Sequence, residues 1–357
     1  MTPALLARSR AWNQQITSPE FNRAADVVAW LGAVQAQDFA AGKWAIGLRM
    51  PNATDATIEK AIADGSIVRT WALRGTLHFV TARDVRWMLE LVAPAMHVRH
   101  AGYYRKLALT DAVLRKSQDI MLRVLQGGNQ LTRKALLQEI HDGGVSVEGL
   151  RANFILLRAS LDRILCSGPR QGKEFSFVLF DEWVAPAKPI DREKALETLA
   201  KRYFKSHGPA TLDDFIWWSG VSRTDARLAT DRAKRSLRTH ESGDTTYYSA
   251  NTTTTSVSKD TAVHMLPPFD EHLIGYTDRS AMIDPEFEHK VMGAKNGIFS
   301  PILVFDGKVI GTWKRTIHKN TVSVSLMPFA PLTKAQHKAV AQTLKHYATF
   351  LGMKPGP

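Results

Sequence analysis

Gln35-Ala36-Gln37 places two carboxamides two positions apart where an apolar helical pattern stops. Val27, Trp30, Leu31 and Val34 share one face at helical spacing, and the face then ends. A glutamine costs free energy to bury unless its donors and acceptor are satisfied, so two together point to a polar surface or a polar task. The chemistry open to them is narrow. Neither takes a proton near neutral pH, so neither is a conventional general base. Each accepts from a water and donates to a base edge or a sugar oxygen. Residues i and i+2 lie about 200° apart on an α-helix but on one side of an extended segment. For both to act together the helix must end at or near Gln35, and Ala40-Ala41-Gly42 is expected as loop. The bland alternative is a polar helix end without chemistry.

Two further stretches are dense in polar groups. LPPFDEHLIGYTDRS, residues 266–280, packs Asp270, Glu271, His272, Tyr276, Asp278 and Arg279 among apolar residues. Asp278 beside Arg279 reads as a surface pair of little energetic value, and Asp270 as a carboxylate able to orient an arginine in a groove. RTWALRGTLHF reads as two strands around Arg74-Gly75. Arg69 and Trp71 share a face of the first strand, and Thr76 and His78 a face of the second. Polar groups on one side of such a hairpin suit a groove or a cleft.

The elements that must position these groups follow one rhythm of helix, helix and two short strands. AADVVAWLGAV and TIEKAIADG come before IVRTWAL and TLHFV. Thr132 caps TRKALLQEIHD, a helix runs from about Glu148 to Ile164, and LCSG and EFSFVLF flank the basic loop PRQGK. REKALETLAKRYFKSHG opens a third unit, in which Thr211 caps LDDFIWWSG and Ser222 caps RTDARLATDRAKRSL; TTYYSA and TTTTSVS follow as strands. Helix, turn, helix and hairpin describe a winged helix. The predicted fold is α+β: winged helices over 1–110, 111–188 and 189–265, then a β-rich domain over 266–357. Asp306-Gly307 supplies its hairpin turn and KAQHKAVAQTLKHYATFL its closing helix.

Lys+Arg outnumber Asp+Glu 47 to 34, a formal charge of +13, which favours a polyanionic partner. Arg223 and Arg227 lie where a recognition helix would run, and VRHAGYYRK interleaves cations with Tyr103 and Tyr104. No apolar run reaches 18 residues, and the N-terminus has too short an apolar core for a signal peptide. A single cysteine, Cys166, precludes an internal disulfide and a CxxC zinc site, and a reducing cytoplasm fits it. P-loop, HExxH and GxSxG patterns are absent, so no metal or cofactor is expected. His97 and His100 read as a surface pair and Cys166 as a buried structural thiol.

LGAVQAQDF, RTWALRGTLHFV and LPPFDEHLIGYTDRS together resemble the bacterial winged-helix DNA glycosylase family typified by AlkZ and YcaQ, over most of the chain. The resemblance implies tandem winged helices and a C-terminal β-barrel arranged around duplex DNA. It implies excision of alkylated purines, notably N7-alkylguanines, and for some members the unhooking of interstrand crosslinks. The family signature is Gln-x-Gln in one branch and Gln-x-Asp in the other, and Gln35-Ala36-Gln37 matches the first. Gln35 and Gln37 are therefore the expected catalytic residues, positioning water at the anomeric carbon. Lys43, Arg69, Trp71, Arg74, Thr76, His78, Asp270, Tyr276, Arg279, Arg223 and Arg227 are the expected DNA contacts. The expected partner is double-stranded DNA bearing an alkylated or crosslinked guanine, bound by a nucleoid-associated monomer. The competing reading is a winged-helix regulator or structural DNA-binding protein without catalysis.

Overall fold

The computed structural model describes residues 1–252, 257–293 and 297–356. Contacts divide the chain into two compact units: residues 1–58 with 196–357, and residues 59–195. Helices and strands are mixed in both, as expected of an α+β protein.

In the unit of residues 59–195, Ile67–Trp71 and Leu77–Thr81 form an antiparallel hairpin, in register from Ile67↔Thr81 to Trp71↔Leu77. Arg69↔Ser167 joins it to a second hairpin, Leu165–Ser167 with Ser176–Leu179. Both hairpins agree with the sequence reading. Leu131–Thr132 extends the sheet beyond Ser176–Leu179. Helices Asp111–Leu125, Arg133–Asp142 and Arg151–Leu161 cover an apolar core of Leu114, Met121, Leu125, Leu136, Ile140 and Leu156. Thr132 caps the second of these by accepting from the Ala135 N–H. The third is shorter than the span from Glu148 to Ile164. Helix Ala82–Lys106 was not foreseen: its internal Pro94 and its polar VRHAGYYRK end obscure the period.

In the other unit, five strands run in the order Lys354–Pro355, Thr321–Pro328, Lys308–His318, Ile302–Phe305 and Val263–Leu266. This sheet fits a half-barrel. Asp306-Gly307 makes the turn, both residues at positive φ, and helix Lys334–Leu351 packs beside Val263–Leu266. Thr211 and Ser222 cap helices Leu212–Ser219 and Arg223–Ala233 as expected. The hairpin after them is displaced from its expected place. Leu237–Ser242 pairs with Thr245–Ala250, so RAKRSL gives up its helix one turn early. Of the expected strand TTTTSVS, residues 253–256 lie outside the described residues.

Candidate active site

Helix Ala24–Leu31 ends at Gly32, whose φ of +86° suits glycine, and a Cβ there would stand 3.1 Å from the Trp218 ring. The chain then runs extended through Val34–Gln35, so the helix ends before the glutamines and both lie outside it. At Asp38 a new helix starts, Phe39–Gly47, with the Asp38 carboxylate accepting from the Ala41 N–H at 3.0 Å. Ala40-Ala41-Gly42 is thus helix, not loop. Asp38 supplies the cap that makes it so, an assignment hidden in a sequence where Asp follows Gln. The segment between Gly32 and Asp38 is fixed at both ends.

Gln37 is exposed and Gln35 half-buried. The Gln35 main-chain N–H donates to Glu271 Oε1 at 3.4 Å. Its side-chain Oε1 is buried and has no hydrogen-bond partner among the described residues. An unmatched buried acceptor costs about 1–3 kcal/mol.

Beneath this segment lies a network of charged and polar groups. Asp270 takes a bidentate pair from Arg49, 2.8 Å to each oxygen, with both side chains at most 1% exposed. Arg49 also donates to the Gln14 carbonyl at 2.8 Å. Glu271 Oε2 accepts from Trp218 Nε1 at 3.0 Å and lies 3.3 Å from His207 Nε2. Burial lowers the His207 pKa, against the pull of Glu271. Tyr276 donates to the His207 carbonyl at 2.7 Å and accepts from Gln14 Nε2 at 2.9 Å. Arg10 stacks 3.8 Å from the Tyr276 ring centre and pairs with Asp214.

The residues expected at DNA divide accordingly. Asp270 does hold an arginine, but Arg49 in the interior rather than one in a groove. Tyr276 is buried with its hydroxyl taken up on both sides. Lys43 is buried and paired with Asp55 at 2.7 Å. Arg279 is half-buried, donating to the Leu273 carbonyl at 2.7 Å near Trp217 and Phe299, and burial lowers its pKa. Asp278 turns to the Ser280 N–H rather than to Arg279. Arg223 and Arg227 are exposed on their helix, Arg223 in a surface pair with Asp213.

In the other unit, pairing of Arg69 with Phe79 and of His78 with Thr70 puts Arg69 and His78 on opposite faces. The hairpin therefore does not gather its polar groups on one side, as expected from strands read separately. Arg69 is buried 4.5 Å from the Phe175 ring centre, with its pKa lowered to about 10 by burial. His78 is buried with Nδ1 2.9 Å from the Thr76 carbonyl. Trp71 packs against the apolar core. Arg74, at φ +58°, and Thr76 lie at the turn, half-buried. His97 Nε2 lies 2.9 Å from Asp162 Oδ1, and Cys166 is buried with its thiol pKa pushed up.

Sequence reasoning missed Arg49, Gln14, His207, Asp214 and the role of Glu271. Arg49 had a signal: a lone arginine closing the apolar run AIGLRM. A cavity of about 430 Å³ adjoins Asp38, walled by Trp44, Trp313, Tyr347, Pro267 and Met327. Among the described residues, no group of three or more His, Cys, Asp or Glu side chains is arranged to hold a metal ion.

A family model described as DNA glycosylase AlkZ-like matches residues 28–350. The chain belongs to the AlkZ-like DNA glycosylase family. It is thereby placed among enzymes that hydrolyse N-glycosyl bonds, rather than among DNA binders without chemistry. A curated relative, the interstrand DNA cross-link repair glycosylase of Streptomyces sahachiroi, is 26% identical over 353 residues, 94% of this chain and 92% of the relative. The solved structure of the Streptomyces sahachiroi DNA glycosylase AlkZ superposes with a TM-score of 0.80 at 24% identity, covering 99% of this chain and 98% of that one. That likeness shows a shared fold. No helix among the described residues is long and apolar enough to cross a membrane.

Proposed function

We propose that this AlkZ-like glycosylase removes N7-alkylated purines from duplex DNA and unhooks interstrand crosslinks, with Gln35 and Gln37 holding the attacking water. The observation that carries the reading is that Gln35 and Gln37 lie together outside any helix, Gln37 exposed, on a short segment anchored at Gly32 and Asp38. The crosslink part rests on the name of the Streptomyces sahachiroi relative. An N7-alkylguanine already carries a positive charge and leaves without protonation. The enzyme has then to fix water beside the anomeric carbon and stabilise an oxocarbenium-like sugar, which oriented carboxamide oxygens do without a proton of their own. Neutral lesions, which need protonation to leave, are poor substrates on this account. A crosslinked guanine stays tethered to the opposite strand and does not flip fully, so an open, half-exposed Gln-x-Gln segment suits it better than a deep pocket.

The three winged helices over 1–110, 111–188 and 189–265 and the β-rich domain over 266–357 remain our reading of the modules. Arg223, Arg227, Arg279, Arg74, Thr76 and Trp71 are proposed as the DNA-facing set. Lys43, Arg69, His78, Asp270 and Tyr276 are buried, and their part is to hold their own surroundings in place rather than to contact DNA directly. The protein acts as a cytoplasmic monomer on nucleoid DNA and needs no cofactor. The test is base release from a duplex with one N7-methylguanine, by wild type and by Gln35→Ala, Gln37→Ala and the double variant. Each single change is expected to slow release by about 10²–10³-fold with duplex affinity kept. Full activity in the double variant refutes the assignment.

A further inference from the structure

Glu271 is only 1% exposed and cannot reach DNA, yet its side chain meets the main chain at Gln35. It sits at the start of a short helix, Glu271–Ile274, whose cap is Asp270: Asp270 Oδ1 accepts from the His272 N–H at 3.0 Å while the same carboxylate grips Arg49. That arrangement fixes the Glu271 backbone. Its carbonyl is held as well, accepting from Gln14 Nε2 at 3.3 Å. The side chain then spans two groups of contacts. Oε1 faces the Gln35 N–H, and Oε2 lies between Trp218 Nε1 and His207 Nε2.

The surroundings leave this carboxylate little room to move. His207 stacks on Tyr203, ring centres 4.8 Å apart, and its Nδ1 lies 2.8 Å from Ser206 Oγ. A Cβ at Gly275 would come within 2.7 Å of the His207 ring. Trp218 is buried with its ring edge over Gly32, the residue that ends the helix before the glutamines. Trp218 thus touches the segment at its start and holds, through Glu271, the segment at Gln35. The side-chain oxygen of Gln35 has no hydrogen-bond partner among the described residues, and the main-chain N–H is where Glu271 acts on it.

We propose that Glu271 is a positioning residue for the Gln-x-Gln segment, setting the position of Gln35 through its main-chain N–H and itself locked by Trp218 and His207. The inference rests on the assignment of the glutamines made above. A backbone N–H and an indole N–H are donors only, so the contacts at Gln35 and at Trp218 both require an acceptor oxygen. Glutamine at 271 has a single oxygen. In Glu271→Gln one of the two donors must face an amide NH₂, and the strand shifts or the indole does. A displacement of about 1 Å near reacting atoms costs on the order of 10²-fold in rate.

The experiment compares wild type, Glu271→Gln, Trp218→Phe and Glu271→Gln/Trp218→Phe, with Gln35→Ala/Gln37→Ala as the control for the glutamines. Hydrogen exchange is followed on a peptide spanning Gln35, beside single-turnover release of N7-methylguanine and duplex affinity. Glu271→Gln is expected to speed exchange at Gln35 while peptides from residues 59–195 keep their protection, and to slow release about 10–100-fold at unchanged affinity. Trp218→Phe removes the opposing donor. The double variant is therefore expected to regain protection and most of the lost rate, a rescue that mere destabilisation would not give. Unchanged exchange at Gln35 in Glu271→Gln overturns the proposal whether or not the substrate is turned over. Changed exchange with a wild-type rate, or a double variant no better than Glu271→Gln, also overturns it. If the glutamine control releases base as fast as wild type, the glutamine assignment falls and takes this one with it. A dead glutamine control beside a fully active Glu271→Gln removes Glu271 alone.

Discussion

Both compact units bury apolar side chains and some polar ones, but the network of linked charged groups under the glutamines belongs to one of them. In residues 59–195 the core cluster is apolar, Leu114, Met121, Leu125, Leu136, Ile140 and Leu156 among its members. In the other unit the glutamines rest on Arg49, Asp270, Glu271, His207, Gln14 and Tyr276, all buried. Apolar packing is tolerant of which hydrophobe fills a site provided volume is kept. A buried polar network accepts few arrangements, because each unmatched atom carries its full desolvation cost. The difference teaches where geometry is held tightly: under the segment assigned to the chemistry.

The comparison is broken most forcefully at Asp270. Asp270→Ala leaves the Arg49 guanidinium buried and unpaired, and about 3–5 kcal/mol of stability should go, read from urea unfolding. Excision should fall beyond what the lost folded fraction explains. Leu125→Ala in the apolar core should cost roughly 2–5 kcal/mol as well. Here the remaining folded protein should excise at the wild-type rate, and a slower rate would erase the distinction between the units.

Acid sharpens it next. Burial pulls the His272 pKa to about 4 and lowers that of His207. The unfolded chain binds protons at both near pH 6.5 while the folded chain does not. Stability is thus fully present above about pH 6.5 and is lost as pH falls toward 4. A pH series of thermal unfolding should show the decline, and His272→Gln should flatten it. A smaller effect belongs to Asp38→Ala, which removes a helix cap worth about 1 kcal/mol and loosens the end of the glutamine segment. Excision should fall more than melting temperature. The smallest concerns Arg227→Ala: stability within about 0.5 kcal/mol of wild type, and a salt slope of duplex binding reduced by about 1 if this exposed arginine meets a phosphate.

Much of the local architecture was legible because it is written locally. Thr132, Thr211 and Ser222 announce helix starts, Asp306-Gly307 announces a hairpin, and the closing helix Lys334–Leu351 coincides with its periodic pattern. The glutamine pair was visible for the same reason, as two polar residues two positions apart at the end of an apolar face. What stayed hidden is long-range. Arg49 and Asp270 are far apart in sequence, as are Gln35 and Glu271, and no single-sequence signal joins them. The faces of Arg69 and His78 depend on hairpin register, which strand patterns taken singly do not give. Polar residues in LPPFDEHLIGYTDRS looked like a surface because their partners lie elsewhere in the chain.

The unit carrying the glutamines is assembled from both ends of the chain, and that has a consequence for synthesis. Residues 59–195 leave the ribosome with all their own core partners. Residues 1–58 do not: Arg49 waits for Asp270, and Trp44 for Phe350, whose ring also lies against Gly47. At about 5–20 residues per second, the wait from residue 58 to Phe350 is roughly 15–60 s. During that interval an N-terminal arm rich in tryptophan and buried arginine is held on the nascent chain without its complement. A message truncated before the codons for Asp270 and Phe350 therefore yields a chain in which Arg49 and Trp44 never meet those partners.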